Sequence, residues 1–167
     1  MRWNCRANAS VHSYLPHRKK AIEVKSEHQQ SVEQFMRLAR QEVPASPVIP
    51  SLEIRRLRAK LILEEALETV EALGFTVEGG ISANNFDLVA EYPADIIEVI
   101  DGCCDIEVVT TGTLSAFGIP DMPFINAVNA NIIAKFNPGH SWREDGKLIK
   151  PPGHKAPDIA GILETLR

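Results

Sequence analysis

Residues 61–73 read LILEEALETVEAL, a run that places four glutamates among leucines and alanines. Apolar residues recur on one side at the period of an α-helix, and Glu64, Glu65 and Glu68 fall at i, i+1 and i+4. Glu64 and Glu68, and likewise Glu65 and Glu68, are neighbours on a helix surface, so the three form a compact acidic patch. Such a patch is either a solvated helix face or half of a cation site, and the stretch by itself leaves both readings open.

Working outward, Ser51 is a good N-cap and Gly74 a good C-terminal stop, which predicts one long amphipathic helix over Leu52 to Leu73. Leu57, Leu61, Ala66 and Leu67 are expected to supply much of its buried side. Upstream, Val32, Phe35, Met36 and Ala39 repeat at helical spacing from Gln29 on, and the three prolines of VPASPVIP (43–50) end that helix. Downstream, 75–92 (FTVEGGISANNFDLVAEY) carries Gly-Gly and Asn-Asn and reads as a loop with at most one helical turn. Pro93 suits the first turn of the next helix, which runs through ADIIEVIDGCCDIEVVTTGTLSAFG and stops near Gly118.

That third helix carries Glu98, Asp101 and Asp105 at i, i+3 and i+7, within ~60° of one another around the axis. Its other positions are so apolar that it is expected to be largely buried, with Cys103 or Cys104 as core filler. Like-charged carboxylates buried without partners would take up protons, whereas a hard divalent cation such as Mg²⁺ satisfies them with oxygen ligands. Two facing acidic stripes therefore point to a shared metal site.

Pro123 opens a fourth helix through FINAVNANIIAKF, ended by Pro138-Gly139. Asp145-Gly146 between two short extended runs signals a β-hairpin, and Asp158 stands near the start of a short C-terminal helix. The fold expected is all-α, a four-helix-bundle-like domain over residues 26–167 with a small C-terminal hairpin. Residues 1–25 show no clean period and read as an N-terminal arm.

Bulk properties agree with a globular domain. The 167 residues are 44% hydrophobic and 24% charged, with a formal net charge of −4. No global basic field points to nucleic acid, and no apolar run reaches the ~18 residues that span a bilayer. Three cysteines without C-x-x-C spacing read as reduced thiols of a cytoplasmic protein. No histidine follows a glutamate by three positions, which excludes the ligand pattern of ferritin-like di-iron bundles. A Walker A loop is absent, and the residues around Glu64 and Glu65 do not form a Nudix box.

The pattern E-E-x-x-E on one helix (Glu64, Glu65, Glu68) followed by E-x-x-D on the next (Glu98, Asp101) resembles the signature of the all-α NTP pyrophosphohydrolases. These are the MazG-like and phosphoribosyl-ATP pyrophosphohydrolase-like proteins. DGCCDIEVVTTGTLSAFGIP and the tail NPGHSWREDGKLIKPPGHKAPDI resemble the phage and bacterial branch of the latter, so the likeness covers roughly residues 29–163. One departure is Ile132, which stands where that branch often has an asparagine three residues before its lysine, here Lys135; Asn131 or Asn129 is left for that role.

The resemblance implies a MazG-type fold and Mg²⁺-dependent hydrolysis of a nucleoside triphosphate between its α and β phosphates, with Mn²⁺ as a substitute cation. It implies Glu64, Glu65, Glu68, Glu98 and Asp101 as metal ligands, with Asp105 as an additional one, and Glu65 or Glu68 as the catalytic carboxylate. Candidate substrate contacts are Asn131, Lys135, Lys147 and Lys150, with Trp142 as a base-stacking residue or a plug under the hairpin. A homodimer or homotetramer is expected, with no nucleic-acid or membrane partner. Hydrolysis of phosphoribosyl-ATP is the alternative activity, and a catalytically inactive helical interaction module is the alternative class. The presence of all five signature acids weighs against the module.

Overall fold

The computed structural model describes residues 24–82, 85–144, 146 and 148–166. The expected N-terminal arm lies outside these residues except for Val24 and Lys25, as do Asp145 and Lys147. Five helices and two antiparallel strand pairs are formed by the described residues. In order they are α1 (Glu27–Leu38), α2 (Leu52–Ala72), β1 (Phe75–Ser82), β2 (Asn85–Ala90), α3 (Ile96–Ala116), α4 (Met122–Ala134), β3 (Ser141–Trp142), β4 (Leu148–Ile149) and α5 (Ile159–Glu164). No described helix is long and apolar enough to cross a membrane.

Side-chain caps fix the helix starts. Ser26, Ser51, Asp95 and Asp158 accept hydrogen bonds from backbone N–H groups at the starts of α1, α2, α3 and α5, each worth about 1 kcal/mol. α1 ends with Arg40 in the left-handed region (φ 59). The Gln41 N–H then donates back to the Met36 carbonyl at 2.8 Å and the Arg40 N–H to Arg37 at 3.0 Å, a Schellman closure that orients the following chain.

The core lies between α1 and the C-terminal half of α3, where Val32, Met36 and Ala116 are buried with Val43, Ile54 and Val108 packed against them. Beside it runs a buried polar hub. Gln29 donates to Ser115 Oγ (3.1 Å) and to the Ile119 carbonyl (2.8 Å), while its Oε1 accepts from the Asp121 N–H (2.8 Å). The Asp121 carboxylate in turn accepts from the Ser26 N–H (2.9 Å) and the Ser26 hydroxyl. Asp121 is thereby committed to α1 and makes no side-chain cap on α4, which it precedes.

Several expectations need correction. Residues 75–92 are not a loop: β1 and β2 form an antiparallel hairpin with Phe75 opposite Ala90 and Val77 opposite Leu88. Gly79 and Gly80 fall where the pairing register shifts between Glu78 and Ser82, while Thr76, Val77 and Val89 are strand formers that pair across the hairpin. Pro93 precedes α3 instead of entering it, because Asp95 caps the helix two residues later. On α2 the buried residues are Arg58 and Thr69, while Leu57 is exposed. Phe35 is exposed as well.

α3 is not largely buried. Its first half leaves Ile96, Ile97 and Ile100 exposed at 74%, 72% and 60%, and Cys103 and Cys104 are exposed rather than core filler. Apolar composition indicates that a surface needs covering, but within one chain only the second half of α3 meets α1. Among the described residues α4 likewise packs closely only against α5, and none of its own residues is buried. Among the described residues the principal helix packing is that of α3 against α2 and α1.

Candidate active site

α2 and α3 run antiparallel, and four contacts set their register. The Asp95 N–H donates to the Ala72 carbonyl at 2.8 Å, and the Glu91 N–H to Gly74 at 2.9 Å, closing the hairpin onto the end of α2. One helical turn inward, Gly102 lies against Thr69: a Cβ on Gly102 would stand 3.2 Å from Thr69 Cα. Farther along, Gly112 lies against Arg58, whose Nη1 would be 3.0 Å from a Cβ there. Small residues permit this approach, and they place Glu65 level with Asp105 between the two glycine contacts.

The electrostatics match that register. Partial burial pushes the Glu65 carboxyl above its ordinary value, and the carboxylates of Asp105, Glu68, Glu64 and Asp101 push it further. Each neighbouring negative charge disfavours the ionised form, so the two stripes read from sequence do face one another. Glu98, in the first turn of α3, is not among the charges acting on Glu65. Glu64, Glu68, Glu98, Asp101 and Asp105 are exposed and Glu65 is half-buried. With the side chains as they stand, no three His, Cys, Asp or Glu residues among the described ones converge tightly enough to hold a metal ion. The donor set nonetheless suits a hard cation, being all carboxylate and mutually repulsive.

The candidate substrate groups are elsewhere in the chain. Asn131 is on α4 and donates to the Lys155 carbonyl at 2.7 Å. Lys135 caps the C-terminus of α4, and Lys150 follows β4. Trp142 is not a plug under the hairpin. It is 59% exposed and joins Phe136 and His140 in an aromatic cluster with ring centroids 5.7 to 6.5 Å apart. Among the described residues α4 packs closely on α5 and β3 on β4, and neither α4 nor the β3–β4 pair packs closely against α2 or α3.

Two residues with no part in the sequence reading line a cavity beside Glu65 and Asp105. Arg58 and Gln41 help enclose about 300 Å³ between α1, α2 and α3. Burial lowers the Arg58 guanidinium from its ordinary value, and its Nη2 donates to Gln41 Oε1. The available signal was position: Arg58 precedes Glu65 by seven residues, two turns back on the same face.

A family model described as phosphoribosyl-ATP pyrophosphohydrolase matches residues 32–131, a span that includes both acidic helices and most of α4. The match defines the class, the MazG-like NTP pyrophosphohydrolase superfamily of hydrolases that act on pyrophosphate bonds in nucleotide-like substrates. Within it, the chain belongs to the phosphoribosyl-ATP pyrophosphohydrolase family. No curated protein matches the chain significantly.

Proposed function

We propose that the protein is a Mg²⁺-dependent nucleotide pyrophosphohydrolase that converts a nucleoside triphosphate to its monophosphate and pyrophosphate. The observation that carries this reading is the pairing of Glu65 with Asp105 across α2 and α3, within a group that also includes Glu64, Glu68 and Asp101. Glu64, Glu65, Glu68, Glu98 and Asp101 would hold the cation, with Asp105 as an additional ligand, and Mn²⁺ would substitute. When bound, the cation neutralises phosphate charge and acidifies a water.

In this reading Glu65 accepts the proton of the attacking water, since a carboxyl displaced upward is the better base near neutral pH. The water oxygen bonds to phosphorus, the bridging P–O bond breaks, and pyrophosphate departs with the bonding electrons. Glu68, one turn away, is the second catalytic carboxylate in this reading. Release of pyrophosphate from a panel of nucleotides in the presence of Mg²⁺ tests the proposal.

A second reading, hydrolysis of phosphoribosyl-ATP at the same kind of bond, is favoured by the family match itself and fits it at least as well. Including that substrate in the panel separates the two.

Assembly is part of the same proposal. An apolar α4 with no buried residue, and an α3 with three exposed isoleucines in its first half, are the observations that support coverage by further copies in a homodimer or homotetramer. A second copy would then bring Lys135, Lys150, Asn131 and Trp142 to the acidic pair, and Lys147 is proposed with them as a phosphate contact.

A further inference from the structure

The cavity beside the acidic pair has a built polar end. Arg58 is 6% exposed, and its Nε has no hydrogen-bond partner. Among the described residues its guanidinium has no carboxylate within ion-pair distance. A buried cation held only by a neutral amide is costly, and donors left unmet in the interior ask for an acceptor. The position is not incidental, because Gly112 leaves room for the guanidinium and the Schellman closure of α1 delivers Gln41 to it.

The chemistry of the open positions is one-sided. A guanidinium only donates, so the Gln41 atom facing it is the oxygen, which leaves the Gln41 NH₂ directed elsewhere. That NH₂ makes no hydrogen bond among the described residues. Unfilled capacity on the Arg58–Gln41 pair is therefore all donor. The walls are apolar, formed by Phe35, Leu61, Val108 and Val109, which suits a flat heterocycle better than a hydrated phosphate. Glu65 and Asp105 also line the cavity, but they belong to the cluster assigned above to the cation. Arg58 lies seven residues, ~10 Å along the axis, before Glu65, so a ligand anchored at Arg58 extends toward the acids.

We infer that this cavity receives the base of the nucleotide, and that Arg58 and Gln41 select bases presenting carbonyl oxygens, such as uracil and hypoxanthine, over the amino-bearing cytosine and adenine. The inference rests on the nucleotide reading of the site, and it assigns specificity to two residues outside the acidic signature. An amino group aimed at these donors leaves both sides unsatisfied, a mismatch expected to lower affinity on the order of tenfold to a hundredfold.

Calorimetric titration of the full chain with two pairs, UMP against CMP and IMP against AMP, in Mg²⁺ tests this without requiring turnover. At least roughly tenfold tighter binding of UMP and IMP is expected. In Gln41→Glu the new carboxylate pairs with Arg58 and removes the amide donors, so the preference should collapse while the helical circular dichroism stays unchanged. Equal affinities within both pairs, tighter binding of CMP and AMP, no binding of any of the four, or a preference that survives Gln41→Glu would each overturn the assignment. Selective binding by a protein that releases no pyrophosphate refutes only the hydrolase reading, whereas turnover without base preference refutes only the pocket.

Discussion

Gly102 on α3 and Thr69 on α2 meet so closely that a Cβ on Gly102 would collide with Thr69 Oγ1 and stand 3.2 Å from Thr69 Cα. Thr69 is itself held, its hydroxyl donating to the Glu65 carbonyl at 2.7 Å. Helix separation and the position of the acidic residues are therefore set at the same place. Gly102→Ala improves intrinsic helix propensity by about 1 kcal/mol, yet it must push the helices apart, an overpacking cost of about 1–3 kcal/mol. The net expectation is a lower urea midpoint and reduced turnover, partly restored by adding Thr69→Ala, which removes the colliding hydroxyl. A Gly102→Ala protein more stable than the parent would contradict the packing described.

The buried hub around Gln29 gives a stability prediction independent of activity. Gln29 is fully buried and satisfies Ser115 Oγ, the Ile119 carbonyl and the Asp121 N–H together. Gln29→Ala strands these partners and leaves a cavity, so a loss of about 2–4 kcal/mol is expected in denaturant unfolding. A loss within a few tenths of a kcal/mol would show that water replaces the glutamine without cost.

Glu65 gives a pH prediction for the metal-free protein. Its carboxyl is raised in the folded state by burial and by Asp105, Glu68, Glu64 and Asp101. Between its ordinary value and the raised one the folded chain binds more protons than the unfolded chain, so stability falls as pH rises through that window. Above the window the destabilisation is complete; below the ordinary value it is absent. With chelator present, Glu65→Gln should gain in melting temperature relative to the parent as pH increases from the ordinary carboxylate range upward. A difference that does not vary with pH would remove Glu65 from the cluster.

The exposed isoleucines make the assembly testable. Ile97 and Ile133 are 72% and 71% exposed in the single chain. If further copies cover them, sedimentation should show a dimer or tetramer, and Ile97→Glu or Ile133→Glu should shift it toward monomer. A monomeric parent protein would leave α4 without the cover proposed for it.

The sequence was most informative where local chemistry decides structure. Ser51 and Gly74 bounded α2 to within a residue because a hydroxyl cap and a positive-φ glycine (φ 89) are local requirements. The acidic stripes were legible because helical spacing converts sequence distance into direction, and Glu65 does feel Asp105 and Asp101 across the helix pair. Long-range facts were not legible. Phe75 and Ala90 became strand partners although their neighbours look like loop residues, since pairing depends on what the chain folds back to meet. Leu57, Cys103 and Ile97 read as buried in the sequence and are exposed in the fold, because apolarity indicates that a surface needs cover without naming the cover. The role of Arg58 is not legible in the sequence because a lone arginine on a helix is ordinarily solvated, and only the fold of α1 and Gln41 over it makes it buried.

The central claim is that α2 and α3 together form one Mg²⁺-dependent hydrolytic site. Its most direct test is the rate of pyrophosphate release by the pure protein from a panel of nucleoside triphosphates and phosphoribosyl-ATP, with Mg²⁺ or with chelator, for the parent, Glu65→Gln and Asp101→Asn. The account predicts Mg²⁺-dependent release from at least one substrate, lost on chelation and reduced at least a hundredfold in both variants while their helical circular dichroism persists. No release from any substrate, or full activity in either variant, would contradict it.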